Sequence, residues 1–421
     1  MRKLGRSPIV LWLAFIAAHL WLGCLNLYAP GLPLGDVSIV YKFWTDQIHL
    51  AGFWVGIQSS WVYPILAIFP MLAASVFGSS LYANTWLSMI LLLDLVAFGF
   101  LIGWRESRGR VLAAWWWTAF LVLLGPISLG RIDAVTVALA VTAIAVLATR
   151  PAISVALLTV AMWVKVWPIA ILLSMVTAVR GRIRAISIIL GLSLVIVVTA
   201  LSFGSGSNVF SFISQQTNRG LQVEAPISTV WLWLAFMGVP NTSVYYDREI
   251  LTWQVTGDGV GVAGTVMTPL MLIVAIGVLL IAVLAIRRGA DSQIVFATVS
   301  IAIVACLIAF NKVGSPQFVC WLAVPVILGL STKNPDDRGW FTVPATLSLA
   351  IATLTQLIYP YLYGWLLSLN PLMLGVLTLR NGLYFVLIGW AVNELLRMVR
   401  ESEPSRLVSL EQDSILDRSL S

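Results

Sequence analysis

The strongest constraint in this sequence is a repeated one. Runs of about 20 apolar residues, each long enough to cross a bilayer, recur along the 421-residue chain between short polar connections. Inside hydrocarbon the backbone must satisfy its own N–H and C=O groups, so such runs fold as helices. They lie at 9–29, 82–103, 111–128, 132–149, 152–166, 167–180, 184–203, 262–286, 292–310, 317–332, 340–358 and 373–397. The pair at 152–180 is short and joined by Lys165-Val166-Trp167-Pro168, so one longer helix kinked at the proline also fits. The expectation is an all-α polytopic membrane protein with about 12 transmembrane helices. Charged residues make up only 10% of the chain, against about 25% in soluble domains, which excludes a soluble enzyme or a disordered chain. Three cysteines (Cys24, Cys306, Cys320) and two histidines (His19, His49) argue against a disulfide framework or a Cys/His zinc site.

A net charge of +7 looks like a nucleic-acid signal until the basic residues are located. Arg2, Lys3 and Arg6 precede the first span. Arg105/Arg108/Arg110, Arg150, Arg180/Arg182/Arg184, Arg287/Arg288, Lys333/Arg338 and Arg397/Arg400 fall in alternate connections. No nucleic-acid partner is expected; the positive-inside rule places this set and both termini in the cytoplasm of a multi-pass plasma-membrane protein. That fit requires 61–78 not to cross, and Pro64 and Pro70 suit an interfacial or re-entrant helix there. Two outer connections are then long, about 30–81 and 204–261, and rich in aromatic and polar residues that could form one cap. The first span has a basic start but no small-x-small cleavage site, so it reads as an uncleaved helix. A single transmembrane domain is expected over 1–400, followed by a disordered cytoplasmic tail at 401–421. There is no internal repeat to support an inverted-repeat transporter.

Polar residues at membrane depth are costly and mark function. Asp36, just behind the first span, could act as a general base on a sugar hydroxyl; it could equally cap a short interfacial helix. In Gly125-Pro-Ile-Ser-Leu-Gly130-Arg131-Ile-Asp133, Gly130 permits an unusual backbone, Arg131 can hold a phosphate and Asp133 opens a helix. The plain alternative is an Arg131–Asp133 pair closing the turn. Lys165 lies in an apolar stretch and calls for an anion or carboxylate, unless it snorkels to the surface. Gln215 to Glu224 combines amides, Arg219 and a carboxylate beside Phe210, Phe212, Trp231 and Trp233, a composition suited to sugar binding or to a solvated loop with an aromatic belt. Asn311-Lys312-Val-Gly-Ser-Pro-Gln317 interrupts two apolar runs at the same level, with Tyr359-Pro-Tyr361 and Arg380-Asn381 nearby. Mid-span Asp94 reads as a structural hydrogen bond or a protonated carboxyl. The chain has no P-loop, no Gly-x-Gly-x-x-Gly after a strand and no Asp-x-Asp in an outer loop.

Taken together, Asp36, Trp61-x-Tyr63-Pro64, Gly130-Arg131-x-Asp133, Lys165-x-Trp167-Pro168, Asn218-Arg219-Gly-Leu-Gln222-x-Glu224 and Asn311-Lys312-x-x-Ser-Pro-Gln317 resemble a family of GT-C glycosyltransferases. These are the polyprenyl-phosphate-mannose-dependent α-1,2-mannosyltransferases of actinobacterial envelopes, the type that builds phosphatidylinositol mannosides and lipoglycans. The resemblance runs from about Asp36 to Arg380 and departs where family members show Tyr-Pro-Pro and this chain has Tyr63-Pro64-Ile65. It implies a GT-C fold with seven helices before the second outer loop. It also implies metal-independent, inverting transfer of mannose from a polyprenyl-phosphate donor to a glycolipid acceptor, by a membrane-embedded monomer. Asp36 is then the base and Arg131, Lys165, Arg219 and Lys312 the cations for the donor phosphate. Tyr63, Asp133, Gln222, Glu224 and Gln317 would bind sugar or acceptor. A decaprenyl-phosphate-arabinose donor fits the same pattern. A lipid-linked sugar flippase would need polar groups in both membrane halves, and an envelope-assembly scaffold would need only partner-binding loops.

Overall fold

A computed structural model describes residues 7–103, 110–179, 181–217, 219–332 and 339–401. Arg2, Lys3, Arg6, Arg105, Arg108, Arg180, Asn218, Lys333, Arg338 and the tail from 402 lie outside the described residues. The helices are α1 (Pro8–Tyr28), α2 (Lys42–Ala51), α3 (Ile68–Ala74), α4 (Tyr82–Ile102), α5 (Val111–Leu124), α6 (Ile132–Val146), α7 (Pro151–Val164), α8 (Ile169–Ala178) and α9 (Arg182–Ser202). They continue as α10 (Ser211–Thr217), α11 (Thr229–Phe236), α12 (Val260–Arg287), α13 (Ser292–Ala309), α14 (Ala323–Ser331), α15 (Thr342–Gln356), α16 (Tyr363–Leu367) and α17 (Pro371–Glu401). One antiparallel hairpin, β1 (Ser243–Asp247) with β2 (Thr252–Thr256), sits between α11 and α12. The hairpin lies outside the expected elements, although Thr252-Trp253-Gln254-Val255-Thr256 alternates polar and apolar residues.

This is an all-α membrane protein. Among the described residues seven helices are long and apolar enough to span: α1, α4, α9, α12, α13, α15 and α17, some with a flanking turn. The other expected spans are also helical but short. α5, α6 and α7 have 14, 15 and 14 residues, and α8 has 10. At 1.5 Å per residue a 14-residue helix is about 21 Å long, against roughly 30 Å of hydrocarbon. The segment 152–180 is two helices rather than one kinked helix: Lys165 is extended (φ −151°, ψ 136°) and leaves the ladder before Pro168. Segment 61–78 holds a 10-residue helical stretch, Ile65–Ala74, among the shorter apolar helices rather than the seven long ones.

Contacts sort the connections by bundle end. Asp36, Arg131, Lys165, Trp321 and Tyr359 meet at one end. At the other, Arg110 Nη1 donates to the Ala145 carbonyl and Arg288 Nη1 to the Val399 carbonyl. The two long connections form one cap, as expected. The Trp61 N–H donates to Ser211 Oγ (2.8 Å), Asn208 Nδ2 to the Ile57 carbonyl (2.9 Å) and Gln215 Nε2 to Ser60 Oγ (3.2 Å).

Inside the bundle, Asp94 makes the expected structural hydrogen bond, with His19 Nε2 at 2.9 Å. The Nδ1 of His19 donates to the Phe15 carbonyl, so that nitrogen carries a proton. Both side chains are almost fully buried. His19→Leu alone should destabilise the detergent-solubilised protein by roughly 1–3 kcal/mol in thermal unfolding, because Asp94 is left unpaired. Adding Asp94→Leu should recover part of that loss.

Candidate active site

The first connection turns at Pro33 into a π-helical segment, Asp36–Tyr41, that continues into α2. Asp36 heads it but makes no side-chain cap bond. Its carboxylate instead faces Arg131, with Oδ2 3.0 Å from Nε. The pair is unequal: the Arg131 side chain is 7% exposed and that of Asp36 41%. Arg131 is held on its other nitrogens as well. Nη1 donates to the Pro33 carbonyl (2.6 Å) and the Gly130 carbonyl (2.7 Å), and Nη2 to the Tyr359 hydroxyl (3.1 Å). A guanidinium has five N–H donors in a rigid fork, so this one is largely spent inside the protein. It fixes Asp36 and leaves the rest of that carboxylate open. Gly130 is required by a close approach rather than by its backbone angles: a Cβ there would press on the Pro33 carbonyl and Asn26 Oδ1.

Asp133 does not pair with Arg131. It opens α6, is 1% exposed, and its Oδ2 lies 3.2 Å from Lys165 Nζ while Oδ1 accepts from Trp321 Nε1 at 2.7 Å. With both oxygens engaged, Asp133 anchors Lys165 and is not presented to a sugar. Lys165 does not snorkel: its side chain is 15% exposed, with Nζ over the rings of Tyr63 (4.9 Å) and Phe318 (5.6 Å). The ammonium is therefore held by one carboxylate and two ring faces. The Tyr63 hydroxyl lies 3.4 Å from that of Tyr41, which also accepts from the Ile132 N–H. Burial, and after it Tyr63, pushes the Tyr41 hydroxyl well above its ordinary range, so it stays a neutral donor.

Arg219 comes from the second connection and lies within electrostatic reach of Asp36 and Tyr63. Burial lowers its guanidinium below the usual arginine range. Its buried Nε–H has no acceptor among the described residues. Arg219, Asp36, Tyr63, Lys165 and Arg131 thus form one constellation.

The remaining expected residues build the wall behind it. The Glu224 carboxylate is buried in an ion pair with Arg380 Nη1 (2.6 Å), and Arg380 also donates to the Glu224 carbonyl and to Asn381 Oδ1. Glu224 is committed to that pair and is not open to a ligand. Gln222 is buried too; its N–H donates to the Lys312 carbonyl and it bridges to Gln254 of β2. Lys312 is half-buried, and burial lowers its ammonium below the usual lysine range. Gln317 is buried at the start of the turn that leads into α14. A Cβ on Gly314 would collide with the Glu224–Ala225 backbone, so the 311–317 loop and the 219–225 loop are in direct contact.

Three side chains that matter were not singled out from sequence: Tyr41, Trp321 and, as the partner of Arg131, Tyr359. Tyr41 and Trp321 sit in apolar runs where an aromatic residue carries no local sign of a polar contact. No family model matches this chain, and no curated protein does.

Removing one member of a buried pair leaves an uncompensated charge. Lys165→Met should therefore lower stability by about 3–5 kcal/mol. Lys165→Met with Asp133→Asn should be less damaging than the single change. Thermal unfolding of the purified proteins would read this out, and a more damaging double variant would contradict the pairing.

Proposed function

We propose that this chain is a GT-C glycosyltransferase of 12 membrane-spanning helices, five of them short, that moves a mannosyl residue from polyprenyl-phosphate-mannose to a glycolipid or lipoglycan acceptor. The observation that carries this reading is the pairing of an open, fixed carboxylate with an uncommitted buried cation. Asp36 is held from one side by Arg131 and open on the other, while the Nε–H of Arg219, within electrostatic reach of it, has no acceptor among the described residues. The described basic residues Arg110, Arg150, Arg182, Arg184, Arg287, Arg288, Arg397 and Arg400 all lie in connections at the opposite end or in the helix turns next to them. By the positive-inside rule that end is cytoplasmic, so the site opens on the outer face of the plasma membrane, and both termini lie inside.

In this reading an acceptor hydroxyl gives its proton to Asp36 as its oxygen attacks C1 of the donor sugar. The new C1–O bond forms on the face opposite the lipid phosphate, the old C1–O bond breaks, and the anomeric configuration inverts. The lipid phosphate leaves as an anion, needing no proton from a carboxylic acid. Negative charge grows on its oxygens as the bond breaks, and preset cations stabilise that charge best where water is scarce. Arg219 is the foremost phosphate ligand because its buried Nε–H has no acceptor among the described residues. Lys165 adds a fixed positive charge, and Arg131 orients the base rather than binding phosphate. The donor tail lies among the helices, and the recess above the short helices holds the sugar. Polar groups gathered at one bundle end suit transfer at a surface better than passage through the bilayer.

Asp36→Asn keeps the shape and removes the base. It should lower mannosyl transfer by roughly two to four orders of magnitude with normal expression and donor binding. Purified protein with polyprenyl-phosphate-mannose and a phosphoinositide glycolipid acceptor, with linkage analysis of the product, is the test. Transfer at the parent rate would remove Asp36 from the mechanism. Arg219→Gln should chiefly slow transfer and weaken donor binding, since it removes a phosphate ligand and no internal ion pair. Unchanged donor binding would reassign the phosphate to another cation.

A further inference from the structure

At the end of the bundle remote from Asp36, two cavities flank the start of α9. The larger, about 760 Å³, lies between α9 and the α12–α13 connection, and Arg182, Arg184, Asp291 and Ser292 line it. The smaller, about 330 Å³, lies between α9 and the α6–α7 connection. Apart from the same two arginines its lining is almost wholly apolar, with Ala152 and Ile188 on facing walls. One polar chamber and one apolar chamber thus share a pair of cations.

The charges in the polar chamber are not equally available. The Asp291 carboxylate caps α13, accepting from the N–H groups of Gln293 (2.8 Å) and Ile294 (3.1 Å). Arg182 spends one donor on the Thr177 carbonyl (2.8 Å) and keeps the rest. Arg184 has no partner among the described residues. The flanks are built for lipid: along α9 only Ile196 and Ala200 are buried, while Leu190 and Leu194 are 63% exposed, and α12 exposes Ile276 and Leu280.

We propose that the two chambers together bind one anionic phospholipid. Its phosphate lies between Arg182 and Arg184 in the larger chamber, and one acyl chain enters the smaller. Arginine forks match phosphate oxygens, and basic pockets between spanning helices hold anionic headgroups. A soluble phosphate would leave the apolar chamber unfilled. A zwitterionic lipid would bring its own cation against the arginines. The site is separate from the transferase reading and does not depend on it.

The test is native mass spectrometry of the purified full chain, titrated in detergent with phosphatidylglycerol or phosphatidylcholine. Phosphatidylglycerol should be retained preferentially, and excess inorganic phosphate should not displace it. Arg182→Gln with Arg184→Gln should reduce retention on the order of tenfold. Ala152→Trp, which fills the apolar chamber and leaves both charges, should reduce it as well. Ile188→Trp fills the same chamber from the other wall and replaces Ala152→Trp if that variant is not monodisperse by gel filtration. Equal retention of the two lipids, displacement by phosphate, an unaffected double-arginine variant or unaffected cavity-filling variants would each overturn the proposal.

Discussion

A charge taken out of water inside a lipid-embedded bundle must be met by another, and the architecture of the Asp36 end of this protein rests on that requirement. Three ion pairs do it: Asp36 with Arg131, Asp133 with Lys165, and Glu224 with Arg380. Each joins segments remote in the chain. The first ties the opening connection to the head of α6, the second ties α6 to the break between α7 and α8, and the third ties the second connection to α17. Unmaking any of them strands a charge in a poorly solvating medium, which makes the contacts selective as well as attractive. The loops at this end are held by electrostatics more than by apolar packing.

The three pairs differ in how much they leave open. Glu224–Arg380 is closed on all sides, with both side chains 2% exposed, and serves as a strut. Asp133–Lys165 is closed on the carboxylate side by Trp321, yet the ammonium faces the Tyr63 and Phe318 rings. Asp36–Arg131 is open on the carboxylate side. The three pairs thus grade from a sealed strut to a supported cation to a fixed carboxylate with one exposed side.

The opposite end follows other rules. Arg110 and Arg288 hold carbonyls near helix ends, Arg182 and Arg184 face cavities, and Arg397 makes only local, half-exposed pairs with Glu394 (3.4 Å) and Glu401 (3.5 Å) of its own helix. Those pairs lie within one helix, whereas the carboxylate pairs at the other end join segments far apart in the chain.

The sequence on its own determined where the helices lie, which connections are basic and which residue types cluster in the others, because hydropathy and charge are local properties of the chain. It also marked Lys165 as needing a counter-charge, since an ammonium in an apolar run cannot stay alone. The tertiary structure alone decided the partners. Arg131 and Asp133 are two residues apart, and a local reading pairs them. Extended backbone at Arg131 and helix from Ile132 onward send their side chains different ways, to Asp36 and to Lys165. Glu224 looked like a ligand for sugar and is a strut, because its partner lies 156 residues further on. Ion pairing depends on distance in space, and in a helical bundle neighbours in space are set by how the helices pack, which no single stretch of sequence contains.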